Sequence, residues 1–203
     1  MRPRRWFLPE TPDVLGLLRH QLEVTIESVD AFAAWANGDA GAAEAVRAAG
    51  PAGDTAKREL LSALRAAFVT PLEPEDVFAL SRGVDRIQRY TRDLLNESEA
   101  MDCQPDAGIA EMAKLLARSL RHIDDAISSL GSDADEAPAS ADAAIAVERQ
   151  LEHVNYEGMA ALLQVGDRHE RIARRELYRS CSRLGETVVD VAERVVYAVM
   201  KGS

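Results

Sequence analysis

Between its prolines and glycines, this 203-residue chain carries apolar residues three and four positions apart, and no convincing stretch alternates with period two. Such spacing lays a stripe along one face of a helix and leaves a sheet nothing to bury, so it predicts an all-α protein. The breakers fall almost entirely at element boundaries. Thr11 as cap, with Pro12 in the first helical position, opens a helix that ends near Asn37-Gly38. A second helix runs from the Ala-rich forties through Ala67, with a break expected at Gly50-Pro51-Ala52-Gly53. Thr70-Pro71-Leu72-Glu73-Pro74 closes it, and Pro74 opens a third helix through about Glu97. After the polar joint Asp102-Cys103-Gln104-Pro105-Asp106, a fourth helix is expected from about Ala107 to Leu130. Gly131 to Ala139 reads as a loop, a fifth helix as beginning after Ser140 and running to about Val165, and a sixth as following Gly166-Asp167 to the C-terminus.

Three helices on each side of a joint point to an internal repeat, with residues 11–101 as the first unit and 107–203 as the second within one domain. Asp76-Val77-Phe78 and Gly83-Val84-Asp85-Arg86-Ile87 of the third helix are matched, about 100 residues on, by Glu176-Leu177-Tyr178 and Leu184-Gly185-Glu186-Thr187-Val188 of the sixth.

Helices joined by a short turn are antiparallel neighbours, so residues equidistant from the turn share a level. About a turn centred near residue 169, Glu152 faces Glu186 and Glu148 faces Asp190. The members of each helical pair, Glu148 with Glu152 and Glu186 with Asp190, are one turn apart and project from one side of their helix. Four converging carboxylates repel one another, and a multivalent cation would cancel that repulsion. All-oxygen ligands favour Mg²⁺, Mn²⁺ or Ca²⁺, then iron, with zinc less suited. The apolar stripes, Cys181, Leu184, Val188, Val191 and Val195 on the sixth helix and Val147, Leu151, Val154 and Leu162 on the fifth, put any such site on the outside of the bundle, where acids at helical spacing also serve simply as a solvated face. The same construction in the first unit sets Asp54 against Asp85, but the outer positions are Gly50 and Arg89, so half the carboxylates are missing.

Composition narrows the function. Against 24 Lys+Arg stand 34 Asp+Glu, a formal charge of −10, and aromatics are 5%, which argues against nucleic acid as a partner. Cys103 and Cys181 lie outside any C-x-x-C spacing and read as small core residues of a cytoplasmic protein. The basic start Arg2-Pro3-Arg4-Arg5-Trp6-Phe7-Leu8 meets Pro9 and Glu10 before a signal-peptide core could form, and no run is apolar enough to span a membrane. Zinc-protease, P-loop and dinucleotide motifs are absent. None of His20, His122, His153 and His169 has a Glu three residues before it, so the Glu-x-x-His pairs of di-metal oxidoreductase bundles are missing too. His122 beside Asp124 and Asp125, and His153 beside Glu152, read as surface histidines, because adjacent helical residues diverge by ~100°. No enzymatic role is expected.

At Phe68-Val69-Thr70-Pro71-Leu72-Glu73-Pro74-Glu75-Asp76-Val77-Phe78-Ala79-Leu80 the chain resembles the PhoU-like superfamily of phosphate-uptake regulators, and within it the Pit-accessory branch, whose third helix opens on F-x-T-P-[IL]-x-x-E-D-[IV]-[YF]-x-L. The resemblance extends more weakly over most of the chain, through Val84-Asp85-Arg86-Ile87 and through Glu176-Leu177-Tyr178 to Glu186-x-x-x-Asp190 and Val191-Ala192-Glu193-Arg194-Val195. It implies two pseudo-symmetric three-helix bundles, with E/D-x-x-x-D motifs that in several members hold iron or zinc clusters, and a regulatory role toward a phosphate permease or its sensor kinase. The motifs of the second repeat fall on Glu148, Glu152, Glu186 and Asp190, and those of the first on Asp54 and Asp85.

Two functions are therefore expected to compete. One is a metal-dependent accessory protein at the cytoplasmic face of a membrane, on a phosphate permease, with Arg4, Arg5, Trp6 and Phe7 as a docking segment. The other is a metal-free helical interaction module whose acidic face meets a basic partner. The resemblance also permits homo-oligomers, without fixing a symmetry.

Overall fold

The computed structural model describes residues 12–131 and 136–202, and among them every regular element is a helix. Six α-helices follow in order: α1 (Val14–Ala36), α2 (Ala42–Ala66), α3 (Pro74–Ala100), α4 (Ala107–Ser129), α5 (Ala137–Ala161) and α6 (Arg168–Gly202). One 3-10 turn, Leu162–Gln164, tightens the end of α5.

Helices α1, α3, α4 and α6 form a four-helix core in which each touches two others: α1 packs on α3 and α4, and α6 packs on the same two. Helix α2 lies outside against α1 and α3, and α5 against α4 and α6. Exchanging α1 with α4, α2 with α5 and α3 with α6 reproduces the whole pattern, so two three-helix bundles are related by a pseudo-dyad. The core helices supply large side chains such as Leu18, Leu22, Phe32, Leu80, Ile87, Ile109, Met112, Leu116 and Leu184, all buried, each worth about 1.5–3 kcal/mol of transfer free energy. The outer helices supply mostly small ones, Ala43, Val46 and Ala56 on α2 and Ala137, Ala141, Ala144 and Val147 on α5.

The direction of α1 against α3 is fixed by buried polar pairs. Gln21 donates through Nε2 to the Ser81 carbonyl at 3.0 Å and accepts from the Ser81 hydroxyl at 2.7 Å. Two turns further along both helices the roles reverse, and Gln88 Nε2 donates to Ser28 Oγ at 3.0 Å. The register advances together, so α1 and α3 are parallel, as an up-down-up repeat requires. Between repeats, α3 and α6 approach closely at Gly83, where a Cβ would lie 2.4 Å from Val191 Cγ2. Asp76, buried near the start of α3, pairs with Arg194 of α6 at 2.6 Å.

Four boundary expectations need correction or fall outside the described residues. Thr11, like the basic segment with Arg4, Arg5, Trp6 and Phe7, lies outside them. Pro12 precedes the helix, and Asp13 caps α1 by accepting the Gly16 N–H at 2.8 Å. Helix α2 does not break at Gly50-Pro51-Ala52-Gly53. Pro51 is on the exposed face, where the carbonyl left without its donor reaches water, while Gly50 and Gly53 belong to the buried stripe with Val46, Ala56 and Leu60. Helix α5 starts at Ala137, with Pro138 in its first turn, where the missing N–H costs nothing.

Candidate functional site

Tyr178, in the Glu176-Leu177-Tyr178 segment of α6, is buried and donates its hydroxyl to Asp106 Oδ1 at 2.8 Å. The ring passes between two glycines: a Cβ on Gly108 of α4 would lie 2.1 Å from the hydroxyl, and one on Gly158 of α5 2.2 Å from Cζ. Asp106 also caps α4 through the Ile109 N–H at 3.0 Å and lies 3.6 Å from Arg174 Nη1. Burial, with Asp106 beside it, pushes the phenol well above its ordinary range. This clamp joins α4, α5 and α6 and holds the second repeat's outer groove in place. Cys103 and Cys181 are both buried free thiols, and burial pushes Cys181 up to about 12, which leaves it a core residue.

The outer groove between α5 and α6 has a volume of about 480 Å³ and is lined by Glu148, Glu152, Glu186, Asp190 and Glu193, with Arg149, Ile145 and Val189. All four predicted carboxylates thus line one groove, with Glu193 as a fifth acid that the spacing argument missed, although it lies only three residues beyond Asp190. The register is about one turn off the expected one. Glu148 is set against Gly185, with its Oε1 3.4 Å from where a Cβ would be, and it feels Glu186 rather than Asp190. The chain turns over earlier than residue 169, because α5 tightens into a 3-10 turn and α6 begins at Arg168.

Glu148 is half-buried, and its carboxyl is pushed above the ordinary carboxylate value by burial, then by Glu152 and Glu186. Among the described residues no Lys or Arg forms an ion pair with Glu148, Glu152 or Glu186, and Asp190 reaches only Arg86, at 3.8 Å. The donor chemistry is all oxygen and suits a hard cation. As the side chains stand, no three acidic, histidine or cysteine residues among the described ones are gathered about one point, so ligation would require these carboxylates to rotate inward.

The first repeat's groove, between α2 and α3, is built differently. Asp54 and Asp85 line it together with Gly50, Gly53, Gln88, Arg89 and Arg92. Asp85 is paired with Lys57 at 2.8 Å and with Arg89 at 3.5 Å, so the protein's own cations already neutralise it. Lys57 was not marked by the sequence pattern, although it lies one turn from Asp54 on α2.

The likeness to known proteins is one of fold. No protein-family model matches the chain, and no curated protein does. Two solved structures from Shewanella oneidensis MR-1, a PhoU-like protein and a PhoU-like phosphate regulatory protein, superpose with a TM-score of 0.77 at 12% identity. The matches cover 92% and 93% of this chain and 99% and 100% of the others. The phosphate transport system regulatory protein PhoU from Streptococcus pneumoniae superposes with a TM-score of 0.57, also at 12% identity, over 94% of this chain and 92% of its own. The six helices, their pseudo-dyad and these superpositions together establish that the chain has the PhoU-like fold.

Proposed function

We propose that this protein is a regulatory or accessory protein of inorganic phosphate uptake, acting on a Pit-type phosphate permease or its signalling partner, and that the α5–α6 groove holds a metal ion. The observation that carries the metal reading is the set of five carboxylates around a groove in which Glu148, Glu152 and Glu186 have no cationic partner among the described residues. The phosphate regulatory role of the structural neighbours from Shewanella oneidensis and Streptococcus pneumoniae and the Thr70-Pro71-Leu72 signature support the phosphate role. Glu148, Glu152, Glu186 and Asp190 would hold the ion, with iron, zinc, manganese or magnesium as candidates. When bound, it would supply the positive charge that joins α5 to α6. A role on a permease places the protein at the inner face of the membrane as a peripheral partner, consistent with the absence, among the described residues, of any helix long and apolar enough to cross. Assembly into homo-oligomers is part of the same reading.

Deletion of the gene is expected to change radiolabelled phosphate uptake, and the tagged protein is expected to co-purify with the permease. Unchanged uptake together with no recovery of a phosphate transporter would contradict the reading.

A second reading, a metal-free interaction module, is favoured by the spread of the carboxylates as the side chains stand. It predicts partner binding that weakens at high salt and ignores chelators.

A further inference from the structure

The pseudo-dyad relates the two outer grooves. On its α3 side the first carries Asp85, Arg89 and Arg92, about 100 residues before Glu186, Asp190 and Glu193 on the α6 side of the second, while Gly50 and Asp54 of α2 line the first and Glu148 and Glu152 of α5 line the second. One groove is a ring of acids. In the other, two acids face Arg89, Arg92 and the nearby Lys57, so the balance of charge is reversed.

Three observations show what the reversed groove lacks. Asp85 is satisfied by Lys57 and by Nε of Arg89, which leaves the terminal nitrogens of Arg89 free to turn outward. Arg92 has no carboxylate in ion-pair reach among the described residues, and its Nη1 lies over Gly50, 3.3 Å from where a Cβ would be. Gln88, more than nine-tenths buried, donates to Ser28 while its Oε1 accepts no hydrogen bond from the protein. The closed part of the groove has room for about 10 Å³, one water molecule, so a larger ligand would sit at the mouth, above Gly50 and Gly53.

Two guanidinium groups call for an oxyanion, while a carboxylate and an amide oxygen call for a donor. An oxyanion that keeps a proton satisfies the guanidinium groups and the carboxylate. We propose that the α2–α3 groove binds a protonated phosphate group at its mouth, with Arg89 and Arg92 holding its oxygens, Asp54 facing its hydroxyl, and one water in the closed part beneath it donating to Gln88 Oε1. Sulfate has the same shape and no proton at neutral pH, so it would present only acceptors to Asp54 and be rejected. The inference rests on this groove's own chemistry, so it and the uptake reading can fail separately.

The test is calorimetric titration of the full chain in chelator-treated buffer with inorganic phosphate, O-phosphoserine and sulfate, with amide-shift mapping by NMR. Binding of inorganic phosphate or of phosphoserine, with sulfate weaker by about tenfold or more, supports the site and tells a free anion from a phosphate monoester. The Arg89→Ala/Arg92→Ala variant should lose about tenfold or more in affinity, whereas removal of two exposed arginines of α4, Arg118→Ala/Arg121→Ala, should leave binding as in the parent. Shifts at the Gly50 and Gly53 amides would locate the ligand without any substitution. No binding of either phosphate at millimolar concentration, equal binding of sulfate, or shifts confined to α5 and α6 would overturn the proposal.

Discussion

Lys57 and Asp85 meet at 2.8 Å across α2 and α3, at the level where the pseudo-dyad places Glu186 in a groove with no lysine. The fold thus presents an outer groove twice, once carrying cations of its own and once left acidic.

Replacing Lys57 by Met should leave the largely buried Asp85 carboxylate with only the longer Arg89 contact. We expect a loss of about 1–2 kcal/mol, between the values for exposed and buried pairs, read from chemical denaturation. An additional Asp85→Asn substitution should recover most of it. A Lys57→Met variant as stable as the parent would show that the pair contributes nothing.

Glu148 offers a pH signature. Its folded-state carboxyl is raised above the ordinary value near 4.5, so its ionisation costs stability as pH rises through the carboxylate range. In metal-free buffer Glu148→Gln should therefore raise Tm at pH 7, and the gain should vanish below pH ~4, where the parent's carboxyl is itself neutral. A lower Tm at pH 7 would contradict the repulsion argued here.

The clamp around Tyr178 leaves no room beside its ring. Gly158→Ala places a methyl within 2.2 Å of Cζ and should cost about 1–3 kcal/mol by overpacking. Tyr178→Phe keeps the shape and removes the hydrogen bond to Asp106, at a cost of about 1–2 kcal/mol. If both variants melted with the parent, α5 would not be held through Tyr178.

Much of this fold was legible in the chain because its helices carry clean stripes. Cys181, Leu184, Val188, Val191 and Val195 are all buried, as their spacing requires, and Pro74 opens α3. What could not be read depends on contacts between helices. Pro51 looked like a break because its face was unknown, and the reciprocal pairs of Gln21 with Ser81 and Ser28 with Gln88 are polar residues that a hydrophobic pattern discards. The candidate site was legible as four acids at helical spacing. Its register slipped by one turn because the 3-10 turn at Leu162–Gln164 was invisible, and Lys57, which changes the meaning of the first groove, carries no motif.

The most direct test of the account is metal content by plasma mass spectrometry on untagged protein, comparing the parent with Glu186→Ala/Asp190→Ala and Asp54→Ala/Asp85→Ala. The account predicts near-stoichiometric iron, zinc, manganese or magnesium that disappears in the first variant and persists in the second. Parent protein that holds no metal even after incubation with these ions, or that loses it only when Asp54 and Asp85 are removed, would contradict it.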